Sequence, residues 1–343
     1  MTADPFVSLI IAARNEEAFI AGCLDSIAAG TYPHGRLEVL VVDGMSEDRT
    51  REIVQGYAAR YPFVRLLLNP KKHATAAFNT GIGAARGDVV MILGAHAVYP
   101  SGYVERCVRT LLSSGADNVG GIWRIIPRGG TLIGEAIALA SGSGFGSGDA
   151  YTKRGARAPR LVDTVFGGCY RRDVFDRIGL FDERLARSQD FDFNLRLRRA
   201  GGKILMDPGI ICDYYVRSNL KDFWRHNLDD GFWTFYPLRF GRRTFTLRHV
   251  IPPLFVAALS GSALLAVVAR PFGVLALAVL AAYVTAALAV SAAIAIRRRR
   301  PALLFALPVA FAARHVGHGV GALAGLVRAA ASPDLRSRAG TEP

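Results

Sequence analysis

Cysteine is scarce: four residues in 343, at positions 23, 107, 169 and 212, with no Cys-x-x-Cys pair. That spacing excludes a zinc knuckle and a disulfide framework, and fits buried thiols in a reducing compartment. Acidic residues are scarce in one region. From Arg239 onward only Asp334 and Glu342 stand against thirteen arginines, a balance of +11. The whole chain carries +14, so residues 1–238 hold only +3. A nucleic-acid-binding surface needs its surplus on the folded domain, so this distribution argues against one. The segment Met1–Phe6 holds Asp4 and Pro5 and lacks a basic start, and no signal peptide is read there. The amino-terminal domain is therefore expected in the cytoplasm.

Charge is missing altogether from residues 250–269 and 271–296. A helix needs about 20 apolar residues to cross the hydrocarbon core, so both runs qualify as a transmembrane hairpin. Arg239, Arg242, Arg243 and Arg248 precede it and Arg297–Arg300 follow it. The positive-inside rule puts both clusters on the cytoplasmic side of a plasma membrane. A third apolar stretch, 301–327, is interrupted by Arg314, His315 and His318, and is read as spanning or interfacial. The expected organisation is a catalytic domain over 1–238, a basic juxtamembrane segment over 239–249, the hairpin over 250–296, the third helix over 301–327 and a polar tail over 328–343. The chain is 51% hydrophobic with a mean hydropathy of +0.25, in keeping with a membrane part.

The first hundred residues alternate apolar runs with helical patterns. Strands are expected at 7–12, 37–42, 64–68 and 89–93, and helices at 16–28, 48–61 (with Ser46 as N-cap) and 74–85. Strands apolar on both faces and separated by helices imply an α/β fold with a mostly parallel sheet. Ligands bind such sheets beyond the carboxyl ends of the strands. This singles out Ala13–Glu16 after the first strand, Asp43–Asp48 after the second, Asn69–Lys72 after the third and Gly94–His96 after the fourth. Asp43 suits hydrogen bonding to a base or ribose, or a turn. His96 suits a divalent cation, or a plain surface imidazole. Asp190 begins a helical pattern as a general base or a simple cap, with Asp192 as its neighbour on another face. Ser141–Gly148 (SGSGFGSG) reads as a lid or an ordinary surface loop.

Taken in order, VSLIIAARNEE, VLVVDGMSEDRT, FNTGIGAARGDVVMIL, GAHAVYP and FGGCYRRDVFDRIGLFDERLARSQDFDFNLRLRRAGG resemble family 2 glycosyltransferases of the GT-A fold. The likeness is nearest to the succinoglycan-type exopolysaccharide branch with C-terminal membrane helices. The resemblance implies an enzyme transferring a sugar, with inversion, from a nucleotide diphosphate sugar (UDP-sugar favoured) to a lipid-linked or saccharide acceptor. It implies Asp190 as catalytic base. Arg14, Glu16, Asp43, Asn79, Arg86 and Arg217 fall around the nucleotide, and Gly167–Gly168 beside the acceptor. The family's metal motif is Asp-x-Asp or Asp-x-His; here Gly94-Ala95-His96 keeps only His96. A Mg²⁺ or Mn²⁺ ion is implied, with Gly94 removing one usual ligand. Lys71, Lys72 or Arg217 are the alternative source of positive charge, and a nucleotide-sugar-binding pseudoenzyme the alternative function. A soluble nucleotidyltransferase-like enzyme is a further rival. No Gln-x-x-Arg-Trp motif occurs (the nearest is Phe223-Trp224-Arg225-His226), which favours single addition over processive synthesis.

Overall fold

The computed structural model describes residues 4–127, 129–148, 157–165, 167–216, 218–242 and 245–331. Contacts divide the chain into two compact units. One comprises Met1–Arg124 and Arg154–Tyr215, the other Ile125–Lys153 and Val216–Pro343.

The first unit opens with β1 (Val7–Ala13), α1 (Ile20–Ala28), β2 (Leu37–Asp43), α2 (Thr50–Arg60), β3 (Val64–Leu68), α3 (Ala74–Ala84) and β4 (Val89–Gly94). These are the seven elements expected from the apolar pattern. The first helix begins four residues later than expected, because Arg14–Phe19 form a loop whose Glu16 carbonyl accepts from the amides of Phe19 and Ile20. β1 to β4 are parallel, in the order β3-β2-β1-β4. Every residue of β2 is buried, as a strand covered on both faces requires.

Beyond β4 the sheet turns mixed. The next elements are β5 (Ala97–Val98), α4 (Tyr103–Ser114), β6 (Asn118–Pro127), β7 (Arg160–Leu161), β8 (Cys169–Arg171), α7 (Asp173–Ile178), α8 (Gln189–Arg199) and β9 (Ile204–Val216). β8 runs antiparallel to β4 and to β6, and β5 antiparallel to β9. All four cysteines are buried and free.

The second unit is helical: α5 (Leu132–Gly142), α6 (Gly144–Ser147), α9 (Leu220–Phe235), α10 (Leu247–Leu265), α11 (Arg270–Arg298) and α12 (Leu303–Ala330). The last three, of 19, 29 and 28 residues, are each long and apolar enough to cross a membrane. Their large apolar side chains stay exposed, Leu254 at 62% and Leu277 at 69%, an arrangement suited to lipid rather than water. α9 packs backbone-to-backbone on α12. A Cβ on Gly231 would lie 2.1 Å from the His318 carbonyl, and one on Gly321 2.0 Å from that of Leu228. Small residues permit this approach, as in packed membrane helices.

The glycine- and serine-rich stretch at 141–148 is no free lid. It ends α5 and forms α6. Phe145 packs edge-on against Phe311 at 4.9 Å, and a Cβ on Gly146 would lie 2.0 Å from the Ala140 carbonyl. Glycine here serves close packing rather than mobility.

Candidate active site

Three non-glycine residues at the carboxyl ends of β1, β2 and β3 hold left-handed backbone: Asn15 (φ 55), Met45 (φ 58) and Lys72 (φ 64). Each costs about 1–2 kcal/mol, so the surrounding structure must fix it. It does. The Asn15 amide donates to Ser46 Oγ (3.0 Å), the Glu16 amide to Thr50 Oγ1 (2.8 Å) and the Glu47 amide to Asn15 Oδ1 (2.9 Å). A Cβ on Gly44 would meet the Lys72 carbonyl at 3.2 Å and Arg14 Cβ at 3.3 Å. Three strand tips thus converge on one glycine, bringing Arg14, Asp43 and Lys72 together.

Asp43 is fully buried. It accepts from the Ser46 amide (3.0 Å) and hydroxyl (2.5 Å), and the Arg51 guanidinium lies 3.7 Å away. Ser46 therefore serves Asp43 and Asn15 and is not the cap of α2. The turn before that helix is held by Asp48, which accepts from the Thr50 amide (3.0 Å) and hydroxyl (2.6 Å). Burial works against the charged Asp48, but these hydrogen bonds hold its carboxyl below the usual range.

Gly94 ends β4 with its amide bonded to the Tyr99 hydroxyl at 2.8 Å, and the same hydroxyl donates back to the Gly94 carbonyl at 3.2 Å. His96 follows. Its Nδ1 lies 3.4 Å from Glu16 Oε1, with side-chain exposures of 30% and 21%. The ring sits edge-on to Tyr214 at 5.3 Å, and Tyr214 stacks on Trp123 at 4.4 Å. The Ala97–Tyr214 register between β5 and β9 sets this up, a long-range pairing that spacing does not reveal. Next door, burial and the Glu16 charge push the Cys23 thiol up to about 12, leaving it an inert neighbour.

Among the described residues no group of three or more His, Cys, Asp or Glu is placed to hold a metal ion. One imidazole nitrogen and one carboxylate oxygen suit Mn²⁺ or Mg²⁺ chemically, but they make a two-donor set. It fits a cation that takes its remaining ligands from a diphosphate and water.

Asp190 lies in the first turn of α8, half-buried, after Ser188 at φ 59. The segment entering α8 is pinned to the start of α3 at the carboxyl end of the sheet. Thr75 Oγ1 donates to the Leu185 carbonyl (2.5 Å), Asn79 Nδ2 to the Phe181 carbonyl (2.9 Å), and Lys71 Nζ to Glu183 (2.5 Å). The Lys71 hydrogen bond is the main cause holding the Glu183 carboxyl below its usual range. Burial and then the Asp190 charge raise the Tyr170 phenol. Tyr170 in turn lies over Gly168, where a Cβ would sit 2.5 Å from its ring and from Asn118 Oδ1. Asp192 is buried and bonded to Arg196 Nε at 3.0 Å.

Two expected nucleotide contacts need correction in this light. The Asn79 amide is spent on the 181–183 segment. Arg86 lies at the wrong end of the sheet: its Nε bonds Glu38 at 3.1 Å, near the start of β2. Glu38 and Asp43 are five strand residues apart, about 16 Å. Arg217 and Phe166 lie outside the described residues.

Residues 8–179 match the profile of glycosyl transferase family 2. The chain belongs to that family. The transferase is 31% identical over 66% of its length to a dolichyl N-acetyl-alpha-D-glucosaminyl phosphate 3-beta-D-2,3-diacetamido-2,3-dideoxy-beta-D-glucuronosyltransferase of Methanococcus voltae, covering 72% of that protein. It is 30% identical over 78% of its length to the succinoglycan biosynthesis protein ExoA of Rhizobium meliloti, covering 82% of it. The mannosyltransferase PcManGT from Pyrobaculum calidifontis, solved with GDP-Man and Mn²⁺, superposes with a TM-score of 0.59 at 20% identity, over 94% of this chain and 88% of that one. That likeness shows the GT-A-type fold. The transferase differs from a generic α/β enzyme in carrying the three apolar C-terminal helices as well.

Proposed function

We propose that this glycosyltransferase moves a sugar from a nucleoside diphosphate sugar, a UDP-sugar by preference, to a lipid-linked or saccharide acceptor, with inversion, in the synthesis of a cell-surface polysaccharide or glycolipid. The observation that carries the proposal is the set of left-handed, interlocked strand-tip loops around Arg14, Glu16, Gly44, Lys72 and His96, in a chain whose family transfers sugars. The relatives support the substrate class: one is named for a dolichyl-linked sugar phosphate, another for succinoglycan synthesis.

Arg14 and Lys72 supply positive charge to the diphosphate, and the Asp43–Ser46 turn lies against the nucleoside. His96 and Glu16 would hold a divalent cation, which when bound neutralises charge on the departing diphosphate. Asp190 takes the proton of the acceptor hydroxyl as it attacks the anomeric carbon from the face opposite the leaving group. Residues 1–238 serve transfer. The basic stretch 239–249 and the helices after it hold the enzyme on the cytoplasmic face of the plasma membrane, a reading supported by the arginines flanking α10 and α11.

The test is Asp190→Asn, assayed for sugar transfer in membranes with a panel of nucleotide sugars, with and without Mn²⁺. A general base contributes about 10²- to 10⁴-fold, so turnover should fall by that range while donor binding persists. Full turnover in the variant removes Asp190 from the role. Donor binding with no turnover by the unmodified chain points to a binding protein instead.

A further inference from the structure

Helix α12 is apolar enough to span a bilayer, yet it carries Arg314, His315 and His318. An ionised side chain in such a helix is costly and calls for a partner or a polar lining. Among the described residues the hydrogen-bond partners of Arg314 are both neutral: the Gly146 carbonyl at the end of α6, and Asn227 Oδ1 on α9 at 3.3 Å. Asp230, whose charge reaches it, is paired with His226 at 3.1 Å. One backbone carbonyl and one side-chain amide oxygen take two of the five guanidinium donors, and among the described residues no carboxylate makes an ion pair with this arginine.

More basic groups share this layer. His315 bridges the Phe145 carbonyl and the Tyr283 hydroxyl, each at 3.0 Å. The His318 ring lies 6.2 Å from that of His249, in the first turn of α10. The stem of Arg248 passes Gly148, where a Cβ would sit 3.5 Å from Arg248 Cβ. The layer therefore lies within a turn or two of the point where the basic stretch 239–248 gives way to an apolar helix. That is the depth at which lipid headgroups carry phosphate.

We propose that Arg314 and Arg248, with the imidazoles beside them, bind the phosphate of a membrane lipid. A planar guanidinium suits two phosphate oxygens at once. The phosphate belongs either to a lipid-linked acceptor or to a bilayer phospholipid. The inference rests on the membrane placement proposed above, but not on the role of Asp190, because its test reads binding and not turnover.

The experiment titrates the full chain in detergent with polyprenyl phosphate, phosphatidylglycerol and phosphatidylcholine, scored by native mass spectrometry. The unmodified chain should retain polyprenyl phosphate, and Arg314→Gln should weaken retention at least tenfold, with Arg314→Lys in between. Equal nucleoside diphosphate binding by all variants reports an intact fold. Retention of polyprenyl phosphate alone identifies an acceptor site. Equal retention of phosphatidylglycerol, lost in the same variant, identifies a headgroup site. Unchanged affinity of Arg314→Gln for both anionic lipids overturns the proposal. If that variant also loses nucleotide binding, Arg248→Ala takes its place: a threefold or greater loss supports the site, and unchanged affinity overturns it. Recovery of the chain in the soluble fraction of lysed cells would count against the membrane reading itself.

Discussion

The two ends of the parallel sheet use the same residue types for opposite ends. At the amino end, Glu38 is fully buried and saturated. It accepts from Ser8 Oγ (2.6 Å), the Arg86 amide (2.7 Å) and side chain, and Arg65 Nη1 (3.3 Å). At the carboxyl end, the Glu16 carboxylate meets only His96 among the described residues, both remain partly open to solvent, and the flanking backbone is strained. One carboxylate is a finished structural ion. The other is held by a fixed backbone and left with acceptor capacity to spare. The difference supports the proposal made above that the carboxyl end is the working end, since it is there that local rules are broken and polar groups are incompletely used.

Three substitutions and one pH measurement sharpen or break that contrast. Glu38→Gln should have the largest effect on stability, about 2–3 kcal/mol, because buried donors lose a charged acceptor. The thermal midpoint of the solubilised chain would fall, while kcat of the folded fraction stays within about twofold. A loss of kcat without a loss of stability would erase the distinction between the ends. The same carboxylate sets an acid limit. Burial acts to raise it, but the hydrogen bonds from Ser8 and Arg86 and the Arg86 charge outweigh this and hold it low. A carboxyl lowered in the folded state stabilises fully above its unfolded pKa and loses that contribution as pH falls through the folded one. Stability should therefore decline below about pH 4.3, and Glu38→Gln should flatten that decline.

At the other end, Glu16→Gln should cut the enhancement of nucleotide binding by Mn²⁺ about tenfold, equal to about 1.4 kcal/mol, with little change in thermal midpoint. Calorimetric titration of a nucleoside diphosphate with and without Mn²⁺ measures this. An unchanged enhancement leaves His96 without its partner carboxylate. Arg86→Ala should be the smallest effect, under about 1 kcal/mol in stability, since the side chain is 67% exposed. Nucleotide affinity should not move; a tenfold loss would return Arg86 to the nucleotide site.

Apolar runs and their spacing dictated strands β1 to β4, the intervening helices and the C-terminal apolar helices, because those features follow from local periodicity and run length, whereas the sheet order β3-β2-β1-β4 came from the tertiary structure. The strand-tip loops were legible for the same reason: in a parallel sheet the residue after each strand is already at the binding edge. What the spacing could not supply was long-range pairing. Asn79 and Arg86 sit in one helix-and-turn segment, and only the register of α3 against β2 and residues 181–185 shows that each is committed to structure. The Glu16–His96 pair joins residues 80 apart in sequence, and the anchoring of Phe145 under α12 turns an apparent lid into packing. Side chains that meet across distant segments are decided by how elements dock. A linear pattern carries the faces that will be buried, but not the partners waiting there.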